Sequence, residues 1–171
     1  MPIPAPADGD GATNAVLSLF RQLHGQLRDE VNRLDADALN WVPVTGANSI
    51  ATIITHLIGS EAETLRSVAG LQHGRDRAAE FRGTGATTLQ ILDLIGQADS
   101  LVSLVEPDIA SENLEATFSL PTLPADEQRT GLTWLVGNYG HAREHLGEIQ
   151  LTSQLYAARR PTERDGAGRL E

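Results

Sequence analysis

Residues 131–158 read GLTWLVGNYGHAREHLGEIQLTSQLYAA. The stretch is long enough, as one helix at 1.5 Å per residue, to run the length of a helical bundle. At about 100° per residue, Trp134, Asn138, His141, His145, Glu148 and Thr152 form one narrow stripe, flanked by the apolar Leu135, Tyr139, Ala142, Leu146 and Ile149. His141 and His145 stand at i and i+4, so both rings reach a common point without bending the backbone. Such a pair also occurs as two solvated side chains. Against a core face, however, an unpartnered imidazole costs a few kcal/mol, so a metal ion or a hydrogen-bonded network must satisfy these. Gly137, Gly140 and Gly147 each cost about 1 kcal/mol relative to alanine in a helix interior. Close backbone approach or room for a bound group would account for them.

Working outward, three more helices emerge. Val16, Leu19, Phe20, Leu23, Leu27, Val31 and Leu34 recur at three- and four-residue steps, and the helix they define ends in the polar Asp35–Asn40 stretch before Pro43. A second starts at Asn48 or Ser49, either of which can cap it, and stops at Gly70 or Gly74. It carries Ile50, Ile54, Leu57, Glu61 and Val68 on one side, with Ser49, Thr52, His56, Ser60 and Glu63 as a polar stripe. Residues 71–85 are charged and glycine-rich, a crossover loop. Gly83-Thr84-Gly85 has no preceding strand and no third glycine, so it reads as a turn into a helix cap and not as a dinucleotide loop. The third helix spans Thr87 to Val105, with Pro107 just beyond. Residues 108–130 hold Phe118, Leu120, Pro121, Leu123 and Pro124 and would cross one end of the bundle, with room for a short strand. The expected fold is all-α: a four-helix bundle over 12–158 with a long crossover between helices 2 and 3, a flexible segment at 1–11 and a flexible tail at 159–171.

Composition removes several chemistries. In 171 residues there is no cysteine, hence no disulfide, thiolate nucleophile or Cys-ligated metal. All 13 cationic side chains are Arg, so no lysine is available for a Schiff base. A net charge of -10 without a basic stripe argues against nucleic acid as partner. No apolar run approaches bilayer length and the N-terminal residues lack the pattern of a secretory signal, so a soluble cytoplasmic protein without membrane contact is expected.

His56 alone reads as a core histidine satisfied by a carbonyl. Its resemblance in setting to the His141/His145 stripe is what points to a shared site. Three neutral imidazoles hold a divalent transition ion with a coordination position left open; zinc suits this set best, with nickel or iron as alternatives. Glu63, Glu148 and Asn138 are candidates to orient the rings, whereas Glu144 reads as a solvated carboxylate. His24, beside Gly25, and His73, in the crossover, are expected at the surface or in capping roles.

Trp41-Val42-Pro43, Gly46-Ala47-Asn48-Ser49-Ile50 leading into Thr55-His56-Leu57, and His141-Ala142-Arg143-Glu144-His145-Leu146-Gly147-Glu148-Ile149 together resemble the DinB-like superfamily, which includes YfiT-type proteins, bacillithiol transferases and the metal domain of mycothiol-dependent maleylpyruvate isomerase. The resemblance implies a four-helix bundle with a metal triad at His56, His141 and His145, and a homodimer. It also implies that the ion activates a low-molecular-weight thiol toward an electrophile, as in an S-transferase. The isomerase branch can carry Glu where this chain has His141, so that reaction does not transfer. A metal-binding or stress-associated interaction protein without turnover, and a metal-free bundle with hydrogen-bonded histidines, are the alternatives.

Overall fold

The computed structural model describes residues 10–72, 74–83 and 85–159. Four long helices, α1 (Asp10–Val31), α3 (Ile50–Val68), α5 (Thr88–Val105) and α7 (Gly131–Arg159), make the bundle, with short helices α2 (Ala36–Asn40), α4 (Arg77–Glu80) and α6 (Ser111–Glu115) in the connections. The long helices pack in a ring, α1 against α5, α5 against α3, α3 against α7 and α7 back against α1. The all-α fold and the long crossover between the second and third long helices follow the sequence reading. Helix α1 starts at Asp10, inside the segment expected to be flexible. The rest of that segment, nearly all of the expected tail, and His73 lie outside the described residues.

The helix starts are fixed by side-chain caps. Ser49 accepts from Thr52 N–H, and Thr87 with Gln90 forms a reciprocal capping box, each satisfying N–H groups that the helix itself cannot. Asp35 caps α2 by accepting from Ala38 N–H at 2.8 Å, which turns part of an expected loop into a helical turn. Asp76 does the same for α4 inside the crossover. Gly46, Gly70 and Gly85 adopt positive φ, and Gly70 does so directly after α3, the left-handed residue that ends many helices.

Residues 108–130 close one end. A 3-10 turn (Glu106–Asp108) leads into α6, then β1 (Thr117–Phe118) pairs antiparallel with β2 (Arg129–Thr130). This small hairpin is pinned to α7 by Trp134, whose indole N–H donates to the Phe118 carbonyl at 2.8 Å. Gly131 follows β2 directly; a Cβ there would lie 2.2 Å from the Asn113 carbonyl oxygen, so only glycine lets α7 begin against α6.

The core forms two clusters, one around Leu27, Leu39, Ile54, Leu57 and Ile95, the other around Leu17, Phe20, Leu65, Val102 and Leu135. Where they meet on α1, α3 and α5 lies a polar triad, its His24 and Glu61 buried and its Asp99 partly exposed. His24 Nδ1 is 2.7 Å from Asp99, and its Nε2 is 3.0 Å from Glu61. Arg28 also pairs with Asp99. His24 is fully buried, so the expected surface or capping role is wrong: it is a structural histidine between two carboxylates. Helical spacing along α1 places it beside the apolar stripe, and the buried Glu61 and part-buried Asp99 on the facing helices supply what its ring needs. Burial holds the Glu61 carboxyl above its ordinary range, with His24 opposing the shift.

Candidate metal centre

The two polar stripes of α3 and α7 meet. His141 and His145 have ring centroids 4.3 Å apart, and His56 lies 5.4 Å from His145 and 5.6 Å from His141 by the same measure. One nitrogen from each of the three rings lies within 4.8 Å of the others, a group that could hold a divalent metal.

Carboxylates set the ring orientations. His56 Nδ1 is 2.9 Å from Glu80, and His145 Nδ1 is 2.7 Å from Glu148. Since an ionised carboxylate only accepts, both rings carry their proton on Nδ1 and turn an Nε2 lone pair away from it. Nε2 of His145 is buried and, among the described residues, has no hydrogen-bond partner. A buried acceptor facing two further imidazoles is what a metal site shows without its ion, so the donor set fits a divalent transition ion. Arg75 Nη2 also comes within 3.3 Å of His56 Nδ1. With that nitrogen protonated this is a contact of two donors, and the guanidinium N–H goes to Glu80 at 2.9 Å.

Glu80 is held tightly. Arg75 donates to it from Nε at 2.7 Å, and also to Glu63 from Nη1 at 2.8 Å. Gly59 makes room for it: a Cβ there would lie 2.1 Å from Glu80 Oε1. Burial alone would raise the Glu80 pKa, but the hydrogen bonds from Arg75 and His56 bring it below the ordinary range. Burial lowers the pKa of His56 against the pull of Glu80, and burial with its two neighbouring imidazoles lowers that of His141. Both rings are thereby biased to the neutral, ligating form.

The expected orienting residues divide. Glu148 takes that position on His145. Glu63 does not reach a ring; it accepts from Arg75 and from the Thr122 N–H and hydroxyl at 3.0 and 2.7 Å, tying the crossover to the β1–β2 loop. Asn138 donates to Ser60 at 3.0 Å, linking the stripes one turn before His141, and its Oδ1 is buried without a partner among the described residues. Glu144 is exposed, as read from the sequence. Glu80 and Arg75 escaped that reading because both come from a charged crossover in which no periodicity ranks one carboxylate above another. The accessible signal was Asp76, whose cap fixes the turn that carries Glu80.

A cavity of about 520 Å³ lies between α3, α5 and the crossover, walled by Ile58, Ala62, Leu94 and Leu101. It ends on Arg75 and Glu80, and the three imidazoles do not line it. Phe81 packs against His56 at a tilt, with ring centroids 4.8 Å apart.

Among known proteins, the chain is similar to a DinB-like protein from Bacillus subtilis (14% identity, TM-score 0.65, covering 87% of this chain and 94% of that one). It is also similar to a conserved protein from Enterococcus faecalis (13% identity, TM-score 0.68, 86% and 98%). At these identities the likeness is one of fold. No curated protein matches the sequence. The family model of the DinB superfamily matches residues 19–149, a span that takes in all three histidines, and the chain therefore belongs to the DinB superfamily.

Proposed function

We propose that His56, His141 and His145 bind one divalent ion, zinc before nickel or iron, and that the protein uses it to activate a low-molecular-weight thiol for addition or transfer to an electrophile. The observation that carries the metal assignment is the convergence of three ring nitrogens within 4.8 Å around a buried, unpartnered His145 Nε2. When bound, an ion with three neutral ligands and an open position lowers the pKa of a thiol that joins it. The chain's own part is orientation: Glu80 and Glu148 hold the Nδ1 protons of His56 and His145, and Arg75 fixes Glu80. The thiol assignment rests on the family resemblance.

Metal-loaded protein is expected to consume a small thiol in the presence of an electrophile, and His145→Ala to abolish this while keeping its helical content. The second reading is metal binding without turnover, and the lining of the cavity between α3 and α5 by Arg75 and Glu80 and by none of the three imidazoles favours it. Stoichiometric metal with no thiol loss across a broad electrophile panel decides for that reading.

A further inference from the structure

Arg66, in the last turn of α3, lines the cavity between α3 and α5 and is half-buried. Its Nε is buried, and among the described residues the side chain makes no hydrogen bond or ion pair. A guanidinium N–H taken out of water without an acceptor is costly, and such a group in a folded protein calls for a partner. The acids on the same walls do not supply one, because each is engaged elsewhere. Glu63 accepts from Arg75 and from the Thr122 N–H and hydroxyl. Glu80 accepts from Arg75 and meets His56 Nδ1. Asp76 caps α4 and accepts from Arg82 at 3.2 Å. Asp93, which shares a second, smaller cavity with Arg66, accepts from the Gln97 amide at 2.7 Å. Arg75, the other cation of the main cavity, is spent on Glu63 and Glu80. One positive charge is left over.

The rest of the wall says what else a ligand must bring. Ile58, Ala62, Ala79, Leu94, Ala98 and Leu101 make most of it apolar, and the Thr55 hydroxyl there donates to the Ala51 carbonyl at 2.9 Å. The volume of about 520 Å³ is that of an ordinary small-molecule site, apolar with a few placed polar groups. We infer that this cavity binds a small monocarboxylate with an apolar tail, the tail against the α3 and α5 walls and the carboxylate accepting from Arg66. A guanidinium offers parallel N–H donors that match a carboxylate in shape and charge. A wholly apolar ligand would leave Arg66 desolvated and still without an acceptor. A dianion such as a phosphate monoester would set its second charge beside Glu63 and Glu80 with no further free cation to offset it. None of the three imidazoles lines the cavity, so this site stands independently of the metal assignment.

Isothermal titration of the full-length, chelator-treated protein with sodium octanoate tests this, since chelation removes any ion that would itself take a carboxylate. Saturable one-to-one binding with Kd below about 1 mM is expected. Arg66→Gln weakens it by roughly 10-fold or more, the scale of losing charge-assisted hydrogen bonds. The same variant binds uncharged octanamide no differently from the unmodified protein, which separates loss of the charge from damage to the apolar walls. Ala62→Phe, which fills the cavity from α3, abolishes octanoate binding with unchanged helical circular dichroism. Inorganic phosphate does not displace octanoate. Absence of saturable octanoate binding, or an affinity that Arg66→Gln leaves unchanged, would overturn the proposal. Displacement by phosphate at the concentration at which octanoate itself binds would show a bare anion site and overturn the monocarboxylate assignment.

Discussion

Glu80 illustrates how much depends on one side chain. It reaches His56 from the crossover while gripped by Arg75, and it fits only because residue 59 is glycine. Gly59→Ala is therefore expected to weaken metal affinity by roughly 10-fold, the scale of losing a ligand's orienting partner. Alanine's better helix propensity, about 1 kcal/mol, keeps the melting midpoint from falling. Isothermal titration with zinc beside a thermal melt separates the two, and a lower midpoint with unchanged affinity would show Glu80 to be structural. The imidazoles give a pH signature in chelated protein. His56 and His141 have folded pKa values below the ordinary 6.5, so the unfolded chain binds protons first as pH falls. Their contribution to stability is full above about 6.5 and is lost as pH drops through the folded values. Urea unfolding between pH 7.5 and 5 should show that loss, and His56→Gln with His141→Gln should flatten it. A wild-type slope equal to the double variant's would contradict the assignment. At the core junction, His24→Ala strands Glu61 without its partner and is expected to cost about 3–5 kcal/mol in equilibrium unfolding; a cost under 1 kcal/mol would mean that water replaces the ring.

Elements follow from caps and close contacts as much as from periodicity. The four long helices were legible because each repeats its apolar residues at three- and four-residue steps, and Ser49 and Thr87 announce two of the starts. Short helices α2, α4 and α6 were not, since four or five residues carry too little period to read. The hairpin was legible only as room for a short strand in 108–130, for a similar reason: two-residue strands have no alternation, and β1–β2 is held by the Trp134 indole sixteen residues from Phe118. His24 shows the opposite failure. Its polarity and the neighbouring Gly25 pointed outward, whereas the acids that bury it arrive from α3 and α5, which local sequence cannot show. At the start of α7, Gly131→Ala would press a methyl onto the Asn113 carbonyl, backbone that cannot step aside. A loss of about 1–3 kcal/mol is expected by overpacking, measured by denaturant unfolding; a neutral result would mean that α6 is free to shift.

For the molecule as a whole, the ring of α1, α5, α3 and α7 brings residues 85 positions apart, His56 and His141, to one point. Such a convergence could be expected from two similar polar stripes, but the distances needed the fold. The carboxylates that turn the rings divide between a residue that the pattern marked, Glu148, and one that it did not, Glu80. Among the described residues no helix is long and apolar enough to cross a membrane. The most direct test of the metal assignment is anomalous X-ray diffraction from zinc-loaded crystals, recorded on both sides of the zinc absorption edge. One strong peak about 2.0–2.1 Å from a nitrogen of each of His56, His141 and His145 is the predicted result. A peak held by other side chains, or no peak between three rings that are satisfied by hydrogen bonds, would contradict it.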